Sequence, residues 1–428
     1  MNIVFFILVS VAFLTAGWRQ ITVDAACDKP MDLLSTAMVE SATGAVELAL
    51  GLVGVMALFL GLMKIAEEGG LLTILARLIR PLMVRLFPDV PAEHPAMGAM
   101  ILNMSANMLG LGNAATPFGI RAMQELNRLN PVKGTATDSM VLFLAINTSS
   151  ITLLPTGVIA LRAAAGSGDP AGILPTTLFA TTCSTIAAIL AALFYRRFFP
   201  ISRSVPEQGA SENQEEDTAE TELPTADTPY PLWVSWATLA GFLTLIPLTV
   251  LYGHIISPWI MPGLMLAFLL FGIFKKVRIY EAFVEGAKEG FQVALKIIPY
   301  LVAILVAVGM FRASGALNWL VGGLGSVTAL VGLPAEALPM ALLRPLSGSG
   351  AYGVMASIIN DPAIGPDSYT GYLVSTLQGS TETTFYVLAV YFGAVQVRRI
   401  RHALVAGLTA DLVGVIAAVA AVAFLYGQ

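Results

Sequence analysis

The sequence predicts an all-α polytopic membrane protein, built as two homologous halves whose helices are in places broken or re-entrant. Three observations carry this: a shortage of charge, apolar runs of bilayer length, and polar motifs that recur at a fixed spacing. Only 12% of the 428 residues are charged and 56% are hydrophobic, whereas a soluble domain is near one quarter charged. Runs such as 45–63, 233–252 and 404–426 reach the roughly 20 apolar residues that cross a bilayer.

Taken in order, the first half is expected to hold helices over 2–17 and 34–66, a broken segment around 95–125, then helices over 137–161 and 172–197. The opening run MNIVFFILVSVAFLTAGWRQ lacks a basic leader and a small-x-small cleavage site, so it is expected to stay as a first helix and not to be removed as a signal peptide. Arg19 follows it, which favours an outside N-terminus and a cytoplasmic Arg19. The second half is expected to hold helices over 232–253, 257–274 and 280–312, a broken segment around 336–358, then helices over 369–395 and 402–426. Lys275, Lys276 and Arg278 follow one of these ends, and the same reasoning places them in the cytoplasm beside Arg19.

Between the halves the composition changes. The stretch SVPEQGASENQEEDTAETELPTADTPY has eight acids and no basic residue. It cannot bury enough apolar area to order itself, which makes it a flexible linker. Arg196, Arg197 and Arg203 precede it and place it in the cytoplasm of a multi-pass inner-membrane protein. The organisation is then a membrane half over 1–200, an acidic linker over 201–230 and a second membrane half over 231–428.

The halves read as copies. VESATG at 39–44 resembles VEGAKEG at 284–290, and PAE recurs at 91–93 and 334–336. NTSSIT at 147–152 aligns with QGSTET at 378–383, and AALFY at 191–195 aligns with VAFLY at 422–426 at the same offset. Duplication of this kind is the usual mark of a transporter whose site lies between repeats, in either a parallel or an inverted arrangement. Both arrangements stay open on the sequence.

Polar chemistry is concentrated in three places. In ILNMSANMLGLGNAATPFGIRAM, residues Asn103, Ser105, Asn107, Asn113 and Thr116 punctuate an apolar stretch broken by Gly110, Gly112 and Pro117. Backbone groups freed by such a break must be buried in protein or line a wet cavity, so a half-helix or hairpin tip is expected, with interhelical Asn packing as the alternative. In LLRPLSGSGAYGVMASIIND, residues Arg344, Ser347, Ser349 and Tyr352 sit among glycines that let the backbone turn and approach a ligand. An arginine deep in a membrane must be paired or hydrated, unless it snorkels to the interface. In the third place Asn147, Ser149 and Ser150 are matched by Gln378, Ser380, Thr381, Glu382 and Thr383. On a continuous helix Gln378, Thr381 and Glu382 would share a face, and Ile151 stands where Glu382 would be in the first half. An ionisable residue within a span is a functional candidate by default. Asp361 has turn chemistry, and Asp411 is either a relay or an interhelical hydrogen bond.

Several classes find no support. Cys27 and Cys183 are far apart, and His94, His254 and His402 are scattered, so no metal site or cofactor is expected. No catalytic Ser/His or Ser/Lys arrangement is evident, so the chain is not read as an enzyme. Arg398, Arg399 and Arg401 read as a cytoplasmic flank and not as a nucleic-acid patch.

LNMSANMLGLGNAATPFGIRAM resembles spore maturation protein A, and RPLSGSGAYGVMASIIND with STLQGSTETTFYVLAVYFGAV resembles spore maturation protein B. Both belong to the nucleoside-recognition, or Gate-domain, superfamily, and the resemblance covers nearly the whole chain. It implies two Gate-like halves, a permease-like architecture and a pair that works within one chain. The expectation is a secondary transporter of a small polar solute, nucleoside-like or an organic anion, coupled to a proton or sodium ion. Its partners would be that solute and the lipid bilayer, with a homo-oligomer left open. The alternative is a non-transporting membrane scaffold related to spore maturation.

Overall fold

In a computed structural model the described residues are 2–22, 29–110, 112–200, 262–316 and 332–427, with single positions at 233, 241, 244, 259, 319 and 328. The linker over 201–230 and most of the helix expected over 232–253 lie outside them. Apart from one isolated bridge between Thr135 and Arg399, the regular elements among the described residues are helices.

The first half comprises α1 (Asn2–Thr22), α2 (Pro30–Glu68), α3 (Leu71–Leu86), α4 (Pro95–Met108), α5 (Gly112–Arg128), α6 (Asp138–Ser149), α7 (Thr156–Ala164) and α8 (Leu174–Tyr195). The second comprises α9 (Pro262–Phe274), α10 (Ile279–Ala313), α11 (Leu338–Leu343), α12 (Gly348–Ile359), α13 (Tyr369–Ser380), α14 (Thr384–Ala394) and α15 (Ala403–Tyr426). Windows within α1, α8 and α15 are long and apolar enough to cross a membrane. Helix starts follow local chemistry. Pro30 and Pro95 occupy first turns, where a missing N–H does no harm, and the His94 imidazole accepts from the Ala96 N–H at 3.1 Å.

Two expectations change. Helix α3 was not anticipated, because Arg77, Arg80 and Arg85 interrupt its apolar residues and it has no bilayer-length run. The helices expected over 137–161 and 369–395 are each interrupted, giving α6 and α7 in one half and α13 and α14 in the other. Each interruption falls on the aligned motif. Helices α6 and α13 start and stop at residues 231 apart, and both are capped alike: Thr137 accepts from Met140 N at 3.2 Å and Ser368 from Gly371 N at 2.9 Å.

The halves are related by inversion, as shown by which ends meet. Homologous α2 and α10 pack antiparallel. Gly286 lies against Leu60, where a Cβ would stand 2.3 Å from the carbonyl oxygen, and Gly309 lies against Ser41. The close approach at Gly286 explains why no side chain fits there. At one end of the molecule Arg401, which precedes α15, holds Asp138 at the start of α6 at 2.6 Å and also binds the Phe199 carbonyl. At the other end Arg162 of α7 holds Asp367, just before α13, at 2.9 Å. The start of each broken helix therefore meets the far end of the other half's helices.

The two ends differ in charge. One gathers Arg128, Lys133, Arg196, Arg197, Arg398 and Arg399 at the ends of α5, α8 and α14. The other gathers Asp169, Asp361 and Asp367, with Arg312 at the end of α10 reaching Asp361 at 2.6 Å. Arg19 donates to the Ser314 carbonyl at 3.0 Å, so it lies at this second end, where Arg19, Arg162 and Arg312 balance the three aspartates. Lys275 and Lys276 precede the opposite end of α10. Arg19 and Lys275 thus lie at opposite ends of a 35-residue helix, and they cannot share a compartment as the charge reading supposed.

Candidate functional site

Both hairpins end in the middle of the molecule, against the breaks. In the first half Leu153 N donates to Met108 O at 2.9 Å, joining the α4–α5 tip to the α6–α7 break. In the second, Phe385 N donates to Pro345 O at 3.0 Å, joining the α11–α12 tip to the α13–α14 break. The α6 helix stops because Ser150 turns to a positive φ of 43° and Pro155 follows. Its freed carbonyls are taken up from outside the helix. Glu382 N donates to Thr148 O at 2.8 Å, and the Thr181 hydroxyl of α8 donates to the carbonyls of Ser149 (3.1 Å) and Ser150.

Around the first-half break sits a cluster of amides. Asn107 Nδ2 donates to Asn147 Oδ1 at 2.9 Å, and Asn147 Nδ2 returns to Phe143 O at 2.9 Å. Asn103 Nδ2 donates to Ala115 O at 2.7 Å and to the Tyr391 hydroxyl at 3.1 Å, while Tyr391 donates to Asn147 Oδ1 at 3.4 Å. A second-half tyrosine therefore bridges two first-half asparagines. It is held by stacking on Phe143, with ring centroids 6.0 Å apart. The side-chain Oδ1 of Asn103 is buried without a partner.

Around the second-half break the chemistry is ionic. Arg344 is 5% exposed. Its guanidinium donates to Thr383 Oγ1 at 3.0 Å and to the Thr381 carbonyl, and its Nε is buried without a partner. Glu382 is half-buried and accepts from Thr383 N at 3.2 Å. Thr384 donates to Asp411 Oδ2 at 2.7 Å.

The remaining anticipated residues divide between these clusters and structural tasks. Ser347 caps α12, accepting from Gly350 N at 3.0 Å, with the exposed Ser349 3.5 Å away. Tyr352 crosses to the first half and donates to Gly157 O at 3.2 Å. Ser149 donates to Ile146 O and meets Thr185 at 3.0 Å, and Ser150 meets Thr152 at 2.7 Å. Ser105 and Ser380 turn their hydroxyls onto their own helices, at Ile101 O and Leu377 O. Thr116 is half-buried in α5, and the side chain of Asn113 lies outside the described residues. The face shared by Gln378, Thr381 and Glu382 does not form, because the helix ends at Ser380 and Thr381 is extended. Gln378 Oε1 is left buried without a partner.

The sequence does not single out Tyr391, or Thr384 at the edge of QGSTET, and it gives Asp411 little weight although that acid lies within the apolar span Ala403–Tyr426. As a whole the arrangement offers amide, hydroxyl and carbonyl groups on one side and an arginine with two carboxylates on the other. Such oxygen-rich donors suit hydrogen-bonding solutes and hard monovalent ions.

A family model described as nucleoside recognition (Gate) matches residues 49–165 and 294–398. The chain is 49% identical over 167 residues to spore maturation protein B of Bacillus subtilis (strain 168), covering 39% of this chain and 93% of that protein. It is 46% identical over 175 residues to spore maturation protein A of the same strain, covering 40% and 89%. The two likenesses fall on different parts of the chain. It is also 33% identical over 101 residues to the inner membrane protein YjiG of Escherichia coli (strain K12), covering 23% and 63%.

Proposed function

The chain belongs to the nucleoside recognition (Gate) family, and on that premise we propose that this multi-pass membrane protein is a secondary transporter of a small polar solute. We read it as non-enzymatic. One observation carries the proposal: two helices broken at equivalent points, inverted with respect to each other, meet in mid-molecule, each tied to its own hairpin tip. Broken helices at the membrane midplane present half-helix ends and free carbonyls to a substrate and its coupling ion, and inverted repeats supply two alternative openings. Nothing in a purely structural bundle requires backbone breaks deep in the membrane.

A nucleoside-like solute fits the amide cluster of Asn103, Asn107 and Asn147, whereas an organic anion fits Arg344. Glu382 stands at the break in one half only, where it would take a coupling proton or sodium ion. The halves would work as a pair within one chain, with the basic end and the linker in the cytoplasm. A second reading, a non-transporting scaffold related to spore maturation, is favoured by the names of two relatives.

Purified protein in liposomes, tested for thermal shift and uptake against nucleosides, carboxylates and cations, separates the two readings. Transport predicts a ligand shift lost in both Glu382→Gln and Asn107→Ala. Full binding in both variants would remove the solute from this site, and no shift or uptake with any panel member would favour the scaffold.

A further inference from the structure

Around the second-half break the described side chains Arg344, Glu382 and Asp411 count one positive against two negative. Arg344 is within electrostatic reach of both acids, yet its terminal nitrogens are occupied by Thr383 and Thr381. Glu382 is half-buried and keeps a local N–H partner. Asp411 is different. It is 4% exposed midway along α15, Oδ2 has the Thr384 hydroxyl, and Oδ1 is buried without a partner.

The fold brings Asp411 to this place deliberately close to the break. Gly407 and Gly414 lie about one turn to either side. A Cβ at Gly407 would stand 2.8 Å from Thr384 Cγ2, and one at Gly414 would stand 2.8 Å from Thr381 Cγ2. The break loop can rest on α15 only because both positions lack side chains. Helices α6, α8, α13 and α14 pack against α15. Their titratable groups are Asp138 on α6, Cys183 and Tyr195 on α8, Tyr369 and Tyr372 on α13, and Tyr386 and Tyr391 on α14. Asp138 is held by Arg401 at the basic end, so among the described groups Arg344 is the charge that acts on Asp411, and Arg344 is shared with Glu382.

A surplus negative charge in a membrane core has to be neutralised, since removal from water strongly penalises an uncompensated ion. We propose that Asp411 is the binding site for one monovalent cation, a proton or sodium, which balances the Arg344–Glu382–Asp411 group. Position 180, its counterpart 231 residues earlier, is alanine, so this carboxylate has no twin at the equivalent place in the first half. Its role as a coupling site rests on the transport reading; its occupancy does not, and is testable with no solute present.

The experiment is infrared difference spectroscopy of full-length protein in lipid vesicles, without solute, over a pH series and with sodium chloride against choline chloride. Wild type should show the carbonyl stretch of a buried carboxylic acid that disappears as pH rises. The band should be lost in Asp411→Asn and kept in Glu382→Gln. Removal of the band by sodium at constant pH assigns sodium as a competing occupant, and insensitivity assigns the proton alone. Persistence of the band in Asp411→Asn, or a wild type with neither an acid band nor a sodium-induced change, overturns the proposal. If Asp411→Asn does not fold, Thr384→Val decides. It removes the one hydrogen bond to the carboxylate, so the transition should move to higher pH, and an unmoved transition overturns the site.

Discussion

The Glu382 N–H donates to the Thr148 carbonyl across 2.8 Å, so a break in one half is completed by the backbone of the other. Proline at 382 removes this donor, whereas alanine removes only the side chain. Glu382→Pro should melt lower than Glu382→Ala by about 1–3 kcal/mol, the penalty for leaving a buried carbonyl unpaired. Equal melting of the two variants in detergent would show that the bond does not hold the break.

Asn147 serves three partners at once: Asn107, Tyr391 and Phe143 O. Asn147→Ala strands two of them and should lose about 1–3 kcal/mol of stability. Tyr391→Phe keeps the stack on Phe143 and should lose only about 1 kcal/mol. A double-mutant cycle reads their coupling, and strict additivity would mean that the network is not shared.

Arg162 is fully buried and is held by the carbonyls of Pro366 (2.6 Å) and Asp169 (3.1 Å), by Ser167, and by Asp367, with its guanidinium 4.3 Å over the Tyr372 ring. Asp367 is 42% exposed, so water shares its charge. Asp367→Ala should therefore cost about 1 kcal/mol, whereas Arg162→Ala leaves a cavity among unpaired carbonyls and should cost about 3–5 kcal/mol. Thermal unfolding of both variants checks the order.

Opposite placement of Arg19 and Lys275 is open to labelling. In a background without the two native cysteines, single cysteines at Gln20 and Lys276 should react with an impermeant maleimide from opposite sides of the membrane. Positions Lys276 and Arg398 should react from the same side. Labelling of 20 and 276 from one side would contradict the inverted arrangement.

His402 sits just before the spanning helix α15, 1% exposed, its ring 6.1 Å from that of Phe199. Burial, with Arg401 beside it, holds the imidazole below its usual range. The fold thus favours the neutral ring, and this contribution is complete above about pH 6.5. It is lost as pH falls from there through the lower folded value. Melting temperature should drop on mild acidification, and His402→Gln should flatten that dependence. An unchanged slope in the variant would assign the acid sensitivity elsewhere.

The doubled architecture and its polar centres were readable because NTSSIT and QGSTET preserve the offset at which α6 and α13 repeat. The breaks themselves were hidden. Residues 137–161 and 369–395 look like continuous spans, and what interrupts them is tertiary: Thr181, Glu382 N and the hairpin tips supply partners that lie far away in sequence. For the same reason Gln378 and Glu382 lost their predicted common face. Inversion was equally invisible, since flanking charge places Arg19 with Lys275, while the packing of α2 on α10 separates them. Asp411 looked minor because the glycines that press the break onto it gain meaning only once the helices touch.

Two of the ion pairs that tie the halves together, Arg162–Asp367 and Arg401–Asp138, stand at opposite ends of the molecule. Salt or a binding partner in one compartment can therefore loosen one clasp and leave its twin untouched. The protein is addressable separately from each side of the bilayer, a property that vesicles with unequal ionic strength inside and out would report as a side-specific response.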